Sequence, residues 1–249
     1  MNRYRLIALD MDGTLLNGSH AISLENQHWI KRAGEAGIAV CMATGRGYPS
    51  IIPFVELLGL NTPFVAVNGS EVWRNKDQLH NRVILDTDLV KEMHKLAVTH
   101  DTWFWAYGLH KVYNRDNWLE EFPQDEQWLK FGYYSVDQQI RKSITKEINS
   151  WGKLEITNSD PNNMEMNPLG INKSYGIKQM CEIIGCSMNE VVAMGDSMND
   201  MAMIVDAGLG VAMGNAQDVV KQAADVIAPT NEEDGVGFII RKYVLGDQE

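Results

Sequence analysis

The stretch LIALDMDGTLL, residues 6 to 16, sets an apolar run directly against two carboxylates, Asp10 and Asp12. An unbroken apolar run with no polar alternation predicts a strand buried on both faces, as in a parallel sheet. Carboxylates at its end repel each other and are costly to desolvate unless something positive is near. In open α/β sheets ligands bind beyond the carboxyl ends of the strands, so the same run predicts where a site lies. Residues i and i+2 of an extended chain share a side, which brings Asp10 and Asp12 together, and Gly13 permits the sharp turn after them. Two converging carboxylates suit a hard cation such as Mg2+. A calcium-loop reading fails, because with Asp10 as its first position the required Gly and Glu fall on Leu15 and Ala21.

The same rhythm continues on either side of a different middle. SLENQHWIKRAGEAG predicts a helix with Ser23 as N-cap and Gly37 as stop, and IAVCMAT a second apolar strand. YPSIIPFVELLG predicts a helix in its second half, its start limited by Pro53, and PFVAV a third strand. In the last third, KSYGIKQMCEIIG, DMAMIVDAG, AQDVVKQAA and GVGFIIRKYVL predict helices that alternate with the strands EVVAMGD, GVAMG and DVIA. Both thirds therefore predict one doubly wound, mostly parallel α/β sheet with a Rossmann-like plan.

Residues 84 to 170 hold five of the seven tryptophans, Trp103, Trp105, Trp118, Trp128 and Trp151. TWFWAYGL, KVYNR, KLEITNS and NMEMN predict short strands there, and DLVKEMHKLAVTH and QQIRKSITKEINSW predict helices. The expected organisation is a core of residues 1–83 and 171–249 with a smaller α+β unit, 84–170, inserted. The aromatics are expected to fill that unit's small core, since they supply large buried area.

Composition narrows the function. The chain of 249 residues is 45% hydrophobic and 22% charged, ordinary for a folded protein. With 33 acidic against 22 basic residues the net charge is −11, which opposes wide contact with nucleic-acid backbone or anionic membrane. A small anionic substrate then needs local positive partners. Cys41, Cys181 and Cys186 have no metal-site spacing and suggest a reducing compartment, with Cys41 a core residue. The apolar run before Asp10 is too short for a signal-peptide core, and no stretch of about 18 apolar residues occurs, so a cytoplasmic protein is expected.

Three further constellations carry chemistry. GDSMND, residues 195 to 200, closes another apolar strand and adds Asp196, with Asn199 and Asp200 opening the next helix. ATGR, residues 43 to 46, offers the Thr44 hydroxyl, the Gly45 N–H and the Arg46 guanidinium, the last able to reach a substrate or to pair with an acid. Lys173 opens a helix, a poor place for a cation unless it serves an anion and neighbouring acids. Each alone is also readable as a turn, a loop or an exposed lysine. Glu165 and Asn167 precede the return to the core, either facing a substrate or as plain strand-surface residues.

In combination, LDMDGTLL, ATGR, Lys173 and MGDSMNDMAM resemble, in order, the four signatures of the haloacid dehalogenase superfamily of phosphohydrolases. VNGSEV, EMNPLGINKSYGI, GVAMGNA and NEEDGV are similar to its Cof-type branch, which carries a mid-sequence cap, and the resemblance spans essentially the whole chain. It implies a phosphatase for small phosphomonoesters such as sugar or cofactor phosphates, with Asp10 the nucleophile and Asp12 the acid and base. It implies Mg2+ held by Asp10, the Asp12 backbone carbonyl and Asp196, with Asp200 in support. Thr44, Gly45, Lys173, Asn199 and the Met11 N–H would hold phosphoryl oxygens, Arg46 would lie at the substrate, and the cap would cover the site and select the leaving group. Alternatives are phosphoryl transfer, as in a sugar-phosphate mutase, and a metabolite-sensing module without turnover.

Overall fold

Leu6 to Leu9 are at most 1% exposed, as expected of a strand covered on both faces. The computed structural model describes residues 3–119, 121–123 and 125–247. The first third runs β1 (Leu6–Leu9), α1 (Leu24–Glu35), β2 (Ala39–Met42), α2 (Tyr48–Leu57), β3 (Phe64–Ala66), β4 (Glu71–Asn75) and β5 (Gln78–Arg82). The middle runs α3 (Thr87–Thr99), β6 (Trp103–Gly108), β7 (Val112–Asn114), β8 (Trp128–Tyr134), α4 (Gln138–Trp151), β9 (Leu154–Thr157) and β10 (Asn163–Pro168). The last third runs α5 (Lys173–Ile184), β11 (Val191–Gly195), α6 (Met201–Asp206), β12 (Leu209–Ala212), α7 (Asp218–Ala223), β13 (Val226–Ile227) and α8 (Gly235–Ile239), which continues as a π-helical segment Ile240–Leu245.

The chain divides into two compact units, Met1–Asn81 with Lys173–Glu249, and Arg82–Asn172. In the first, the strand order β13-β12-β11-β1-β2 is parallel throughout, with Leu6 in register with Val191 on one side and Ala39 on the other. β1 is therefore central, and both strands that end in the aspartate-bearing turns lie side by side. Every residue of β1, β11 and β12 is buried, which is why these runs are apolar without alternation.

Helix starts follow capping chemistry. The Ser23 side chain accepts from the Asn26 N–H at 3.1 Å, opening α1. Buried Asn26 in turn accepts the Gly237 N–H at 2.7 Å, tying α1 to α8. α2 begins at Tyr48, before Pro53, so the proline does not delay the helix as expected. A proline inside a helix removes one backbone bond and here the helix persists around it, with Ile51 and Val55 buried on one face.

The third strand departs from expectation. β3 meets the parallel sheet only through an isolated bridge between Ala43 and Val65, and pairs antiparallel with β4 in a separate sheet β3-β4-β5. The reason lies just after it: the backbone turns sharply through Val67, Asn68 and Gly69, all at positive φ, and returns along β3.

The second unit is a five-stranded antiparallel sheet, β7-β6-β8-β10-β9, with α3 and α4. β8 is its central strand. Its core gathers Val90, Met93, Phe104, Trp128, Phe131, Tyr133, Ile144 and Ile148, with Trp118 and Trp151 packed against them, so these tryptophans fill a core. Trp103, 38% exposed, and the partly buried Trp105 lie outside that core, on the other face of β6. Lys130 of β8 is buried and pairs with Glu165 of β10 at 3.1 Å.

All three cysteines are free thiols. Burial pushes the Cys41 thiol well up, and burial and the neighbouring Cys186 raise Cys181 to about 12, which leaves both as thiols rather than thiolates. Among the described residues no helix is long and apolar enough to cross a membrane.

Candidate active site

Asp10 is the first residue beyond β1, and its N–H still donates to the Met194 carbonyl of β11 at 3.0 Å. The residue is 5% exposed. One partner is Lys173, whose Nζ donates to Asp10 Oδ1 at 2.5 Å and to Asp200 Oδ1 at 2.6 Å. Lys173 is the first residue of α5 and fully buried, so the lysine that the helix dipole disfavours is held by two acids from other loops. Burial alone would lower its pKa, but Asp10 and Asp200 outweigh burial and raise it.

Asp200 spends its second oxygen on backbone. Oδ2 accepts the N–H groups of Asp196 at 2.9 Å and Ser197 at 3.0 Å, which closes the GDSMND turn. Gly195 allows this, since a Cβ there would lie 2.4 Å from Asp200 Cβ. Asp196 receives the Thr14 hydroxyl at 3.3 Å and the Ser197 hydroxyl at 3.0 Å. Gly13 stands at φ +78°, and a Cβ on it would come within 2.6 Å of Asp196 Oδ2. Asn215 Nδ2 fixes this turn from outside by donating to the Gly13 carbonyl at 2.7 Å.

Among the described residues, Asp10, Asp196 and Asp200 offer ligand oxygens within 4.8 Å of one another. Burial, then the neighbouring acid Asp200, raises Asp196 to about 7, and burial raises Asp10 against the pull of Lys173. Three acids thus share one lysine. The donors are hard carboxylate oxygens short of positive charge, a set that fits a magnesium-like divalent cation.

Asp12 does not join them. The chain leaves extended geometry after Asp10, so the i, i+2 convergence expected of the two side chains does not occur. The Asp12 carboxylate is half exposed and takes a two-point ion pair from Arg46, Nε at 2.7 Å and Nη2 at 2.5 Å. Burial would raise Asp12, but the Arg46 hydrogen bonds and charge outweigh it and hold the carboxyl below its ordinary value. Of the two readings of Arg46, the structure shows its pairing with an acid.

Thr44 is buried, and its Oγ1 accepts the Arg46 N–H at 3.2 Å. The Met11 carbonyl accepts the Leu16 N–H at 2.8 Å, which curls the Asp10–Leu16 loop back on itself. The buried Asn199 amide donates to Asn68 Oδ1 at 3.3 Å. Asn68 belongs to the turn after β3, where Val67 stands at φ 50°. Such a conformation costs a β-branched residue about 1–3 kcal/mol. Glu165 and Asn167 lie in the second unit, both buried: Glu165 accepts from Lys130 and from the Ser159 hydroxyl, and Asn167 donates to the Leu129 carbonyl.

Sequence reading missed Thr14, Ser197, Asn68 and Asn215 as supports of the site. The Asn68–Gly69 pair is a turn signal of the kind that accepts positive φ. The others are small polar residues beside recognised aspartates, or distant from them, with no local signature.

Comparison with known proteins shows what the chain is similar to. A family model described as haloacid dehalogenase-like hydrolase matches residues 7–145 and 119–240. The chain is 47% identical over 244 residues to the 5-amino-6-(5-phospho-D-ribitylamino)uracil phosphatase YcsE of Bacillus subtilis, covering 97% of this chain and 96% of that one. It is 28% identical to the pyridoxal phosphate phosphatase YbhA of Escherichia coli, over 97% of this chain and 99% of that one. A haloacid dehalogenase-like hydrolase structure from Bacteroides thetaiotaomicron superposes with a TM-score of 0.81 at 31% identity, covering 96% and 99% of the two chains.

Proposed function

The chain belongs to the haloacid dehalogenase-like hydrolase family and is a phosphomonoester hydrolase, and on that premise we propose that it works through an aspartyl-phosphate on Asp10. The observation that carries this is the buried Lys173 bridge between Asp10 and Asp200. A lysine there pulls the buried carboxylate toward its ionised, nucleophilic form, against burial, and offers a cation to the incoming phosphoryl group.

In this reading an Asp10 oxygen attacks phosphorus and the bond to the ester oxygen breaks. For this step Asp12 must first take up a proton, which requires the entering ester to draw Arg46 away from it; as the acid it then gives that oxygen the proton. Asp12, now a carboxylate, takes a proton from water as the water attacks phosphorus, which frees inorganic phosphate and restores Asp10. The Thr44 hydroxyl, the Gly45 and Met11 N–H groups, the Asn199 amide and Lys173 hold the equatorial oxygens. Arg46 holds Asp12 before the ester enters, and Asp200 holds Lys173 and the turn that carries Asp196. Magnesium fits the donor set, with the Asp10 and Asp196 carboxylates and the Asp12 carbonyl to hold it, and when bound it would supply positive charge against nucleophile–phosphate repulsion.

The first candidate substrates are phosphate esters of a polyol that carries a heterocycle, the class in the name of the 47% identical relative, followed by pyridoxal phosphate. Choice among esters is assigned to the unit Arg82–Asn172, and the place of action to the cytoplasm. The test is phosphate release from a panel of sugar, nucleotide and cofactor phosphates, each with magnesium and with chelator. Magnesium-dependent release lost in Asp10→Asn supports the reading. Release that survives Asp10→Asn removes it.

A further inference from the structure

The turn after β3 is a strained element with no part in the mechanism above. Val67, Asn68 and Gly69 stand in succession at φ 50°, 55° and 107°. Glycine and asparagine accept this region, but a valine does not adopt it without cause. Persistent strain of this kind marks a place where the surrounding structure imposes a geometry for use.

The hydrogen bonds of the turn show what it is fixed to. The Val67 N–H donates to the Arg46 carbonyl at 2.9 Å, and the Asn68 N–H to the Thr44 carbonyl at 3.0 Å. Two consecutive N–H groups of the turn therefore grip the ATGR loop on its carbonyl side. The Asn68 side chain points the other way, to the GDSMND turn, where its Oδ1 accepts one hydrogen of the Asn199 amide. Both asparagines are buried, at 2% and 5% exposure. An amide nitrogen carries two hydrogens. With one committed to Asn68, the plane of the Asn199 amide is set, and the second hydrogen has a defined direction.

We propose that Asn68 is a positioning residue of the phosphoryl site, which orients the Asn199 amide toward a phosphoryl oxygen and locks that turn to the Thr44–Arg46 loop. The inference rests on the phosphatase reading, in which Thr44 and Asn199 hold the transferring group. The left-handed backbone is what allows one residue to do both. Its N–H faces one loop and its side chain the other.

The test is a double-mutant cycle on the full chain, with p-nitrophenyl phosphate as substrate and inorganic phosphate as competing ligand. Equal turnover by wild type and Asp10→Asn would remove the phosphatase mechanism itself and this inference with it. Asn68→Gly keeps the positive φ and deletes only the amide. It is expected to lower kcat/KM about 10-fold and to weaken phosphate inhibition by a similar factor, the loss of one oriented hydrogen bond. In an Asn199→Ala background the same change is expected to cost less than about 2-fold, because the two residues act as one. The same fold-loss in both backgrounds, or no loss in either, overturns the proposal. Should Asn68→Gly not fold, Asn68→Asp decides: it keeps the acceptor oxygen and tolerance of left-handed backbone, and should retain kcat/KM within about 3-fold. A fall as deep as that of Asn199→Ala overturns the proposal equally.

Discussion

Gly13 and Asp196 approach so closely that a single methyl group on Gly13 would sit 2.6 Å from Asp196 Oδ2. Asp196 cannot simply retreat, because the Thr14 and Ser197 hydroxyls hold its two oxygens. Gly13→Ala therefore meets both a steric and a conformational obstacle, the residue standing at φ +78°. The variant should lose about 1–3 kcal/mol of stability. Its kcat/KM should fall about 100-fold through displacement of Asp196. Chemical denaturation and steady-state assays on the same preparation check both.

Lys173→Met keeps the bulk of the side chain and removes the charge. Asp10 and Asp200 then face each other without a cation in a buried place. Removing one partner of such an arrangement costs about 3–5 kcal/mol. The deficit should shrink as pH is lowered, because protonation of the acids relieves it. Turnover should fall by about 100- to 1000-fold at any pH, as a group that stabilises transition-state charge is gone. Urea melts at two pH values, one acidic and one neutral, separate the two effects.

Asp196 is raised to about 7, and Asp10 is raised well above 3.8. A carboxyl raised in the folded state binds its proton more tightly there than in the unfolded chain. Stability of the metal-free protein should therefore fall as pH rises from about 4 to 7 through Asp196, and Asp10 adds to the loss in the same direction as pH rises above 3.8. Asp12 has the opposite sign, since its lowered pKa gives stability that is lost only as pH falls below its ordinary value of 3.8. Raised Lys173 contributes stability that persists until pH exceeds 10.5, outside this window. Magnesium competes with the protons, so its increment in Tm should be larger at pH 8 than at pH 5. An equal increment at both pH values counts against Asp10 and Asp196 as its ligands.

Asp12→Asn cannot give or take the proton. Phosphate release from an alkyl ester should drop by about 100- to 10,000-fold. An aryl ester needs less help from an acid in the first step, so phosphorylated Asp10 should accumulate with it. Acid-quenched mass spectrometry would detect the added phosphoryl group, and its absence would separate Asp12 from the second step.

What the sequence carried best was the pair of strands beneath the site. β1 and β11 are short, wholly apolar and end in aspartates, so local composition states both their burial and their ends. Lys173 was legible because a lysine opening a helix conflicts with the dipole and asks for a partner. β8 was not legible, although it is the central strand of its sheet. Its middle holds Lys130 and Gly132, which break any apolar period. Lys130 is buried only because Glu165 meets it, and Gly132 is needed because the Trp105 ring lies where its Cβ would be. Both reasons sit on other strands. The β4–β5 hairpin was hidden by polar, half-exposed residues. In the site, Asp12 diverges from Asp10 because the chain turns directly after Asp10, and its pairing with Arg46 depends on another loop, which no spacing along the chain states.

The central place of β1 has a consequence for biosynthesis. Its two neighbours are β2, made soon after it, and β11, made only when residues 191 to 195 leave the ribosome. At roughly 5–20 residues per second that wait lasts on the order of ten seconds or more. The segment Arg82–Asn172 is contiguous and has its own apolar core, so it can fold during the delay. The nascent N-terminal strand meanwhile exposes an unpaired, wholly apolar edge. Chaperone occupancy on translating ribosomes should accordingly peak before residue 191 and decline once β11 has emerged.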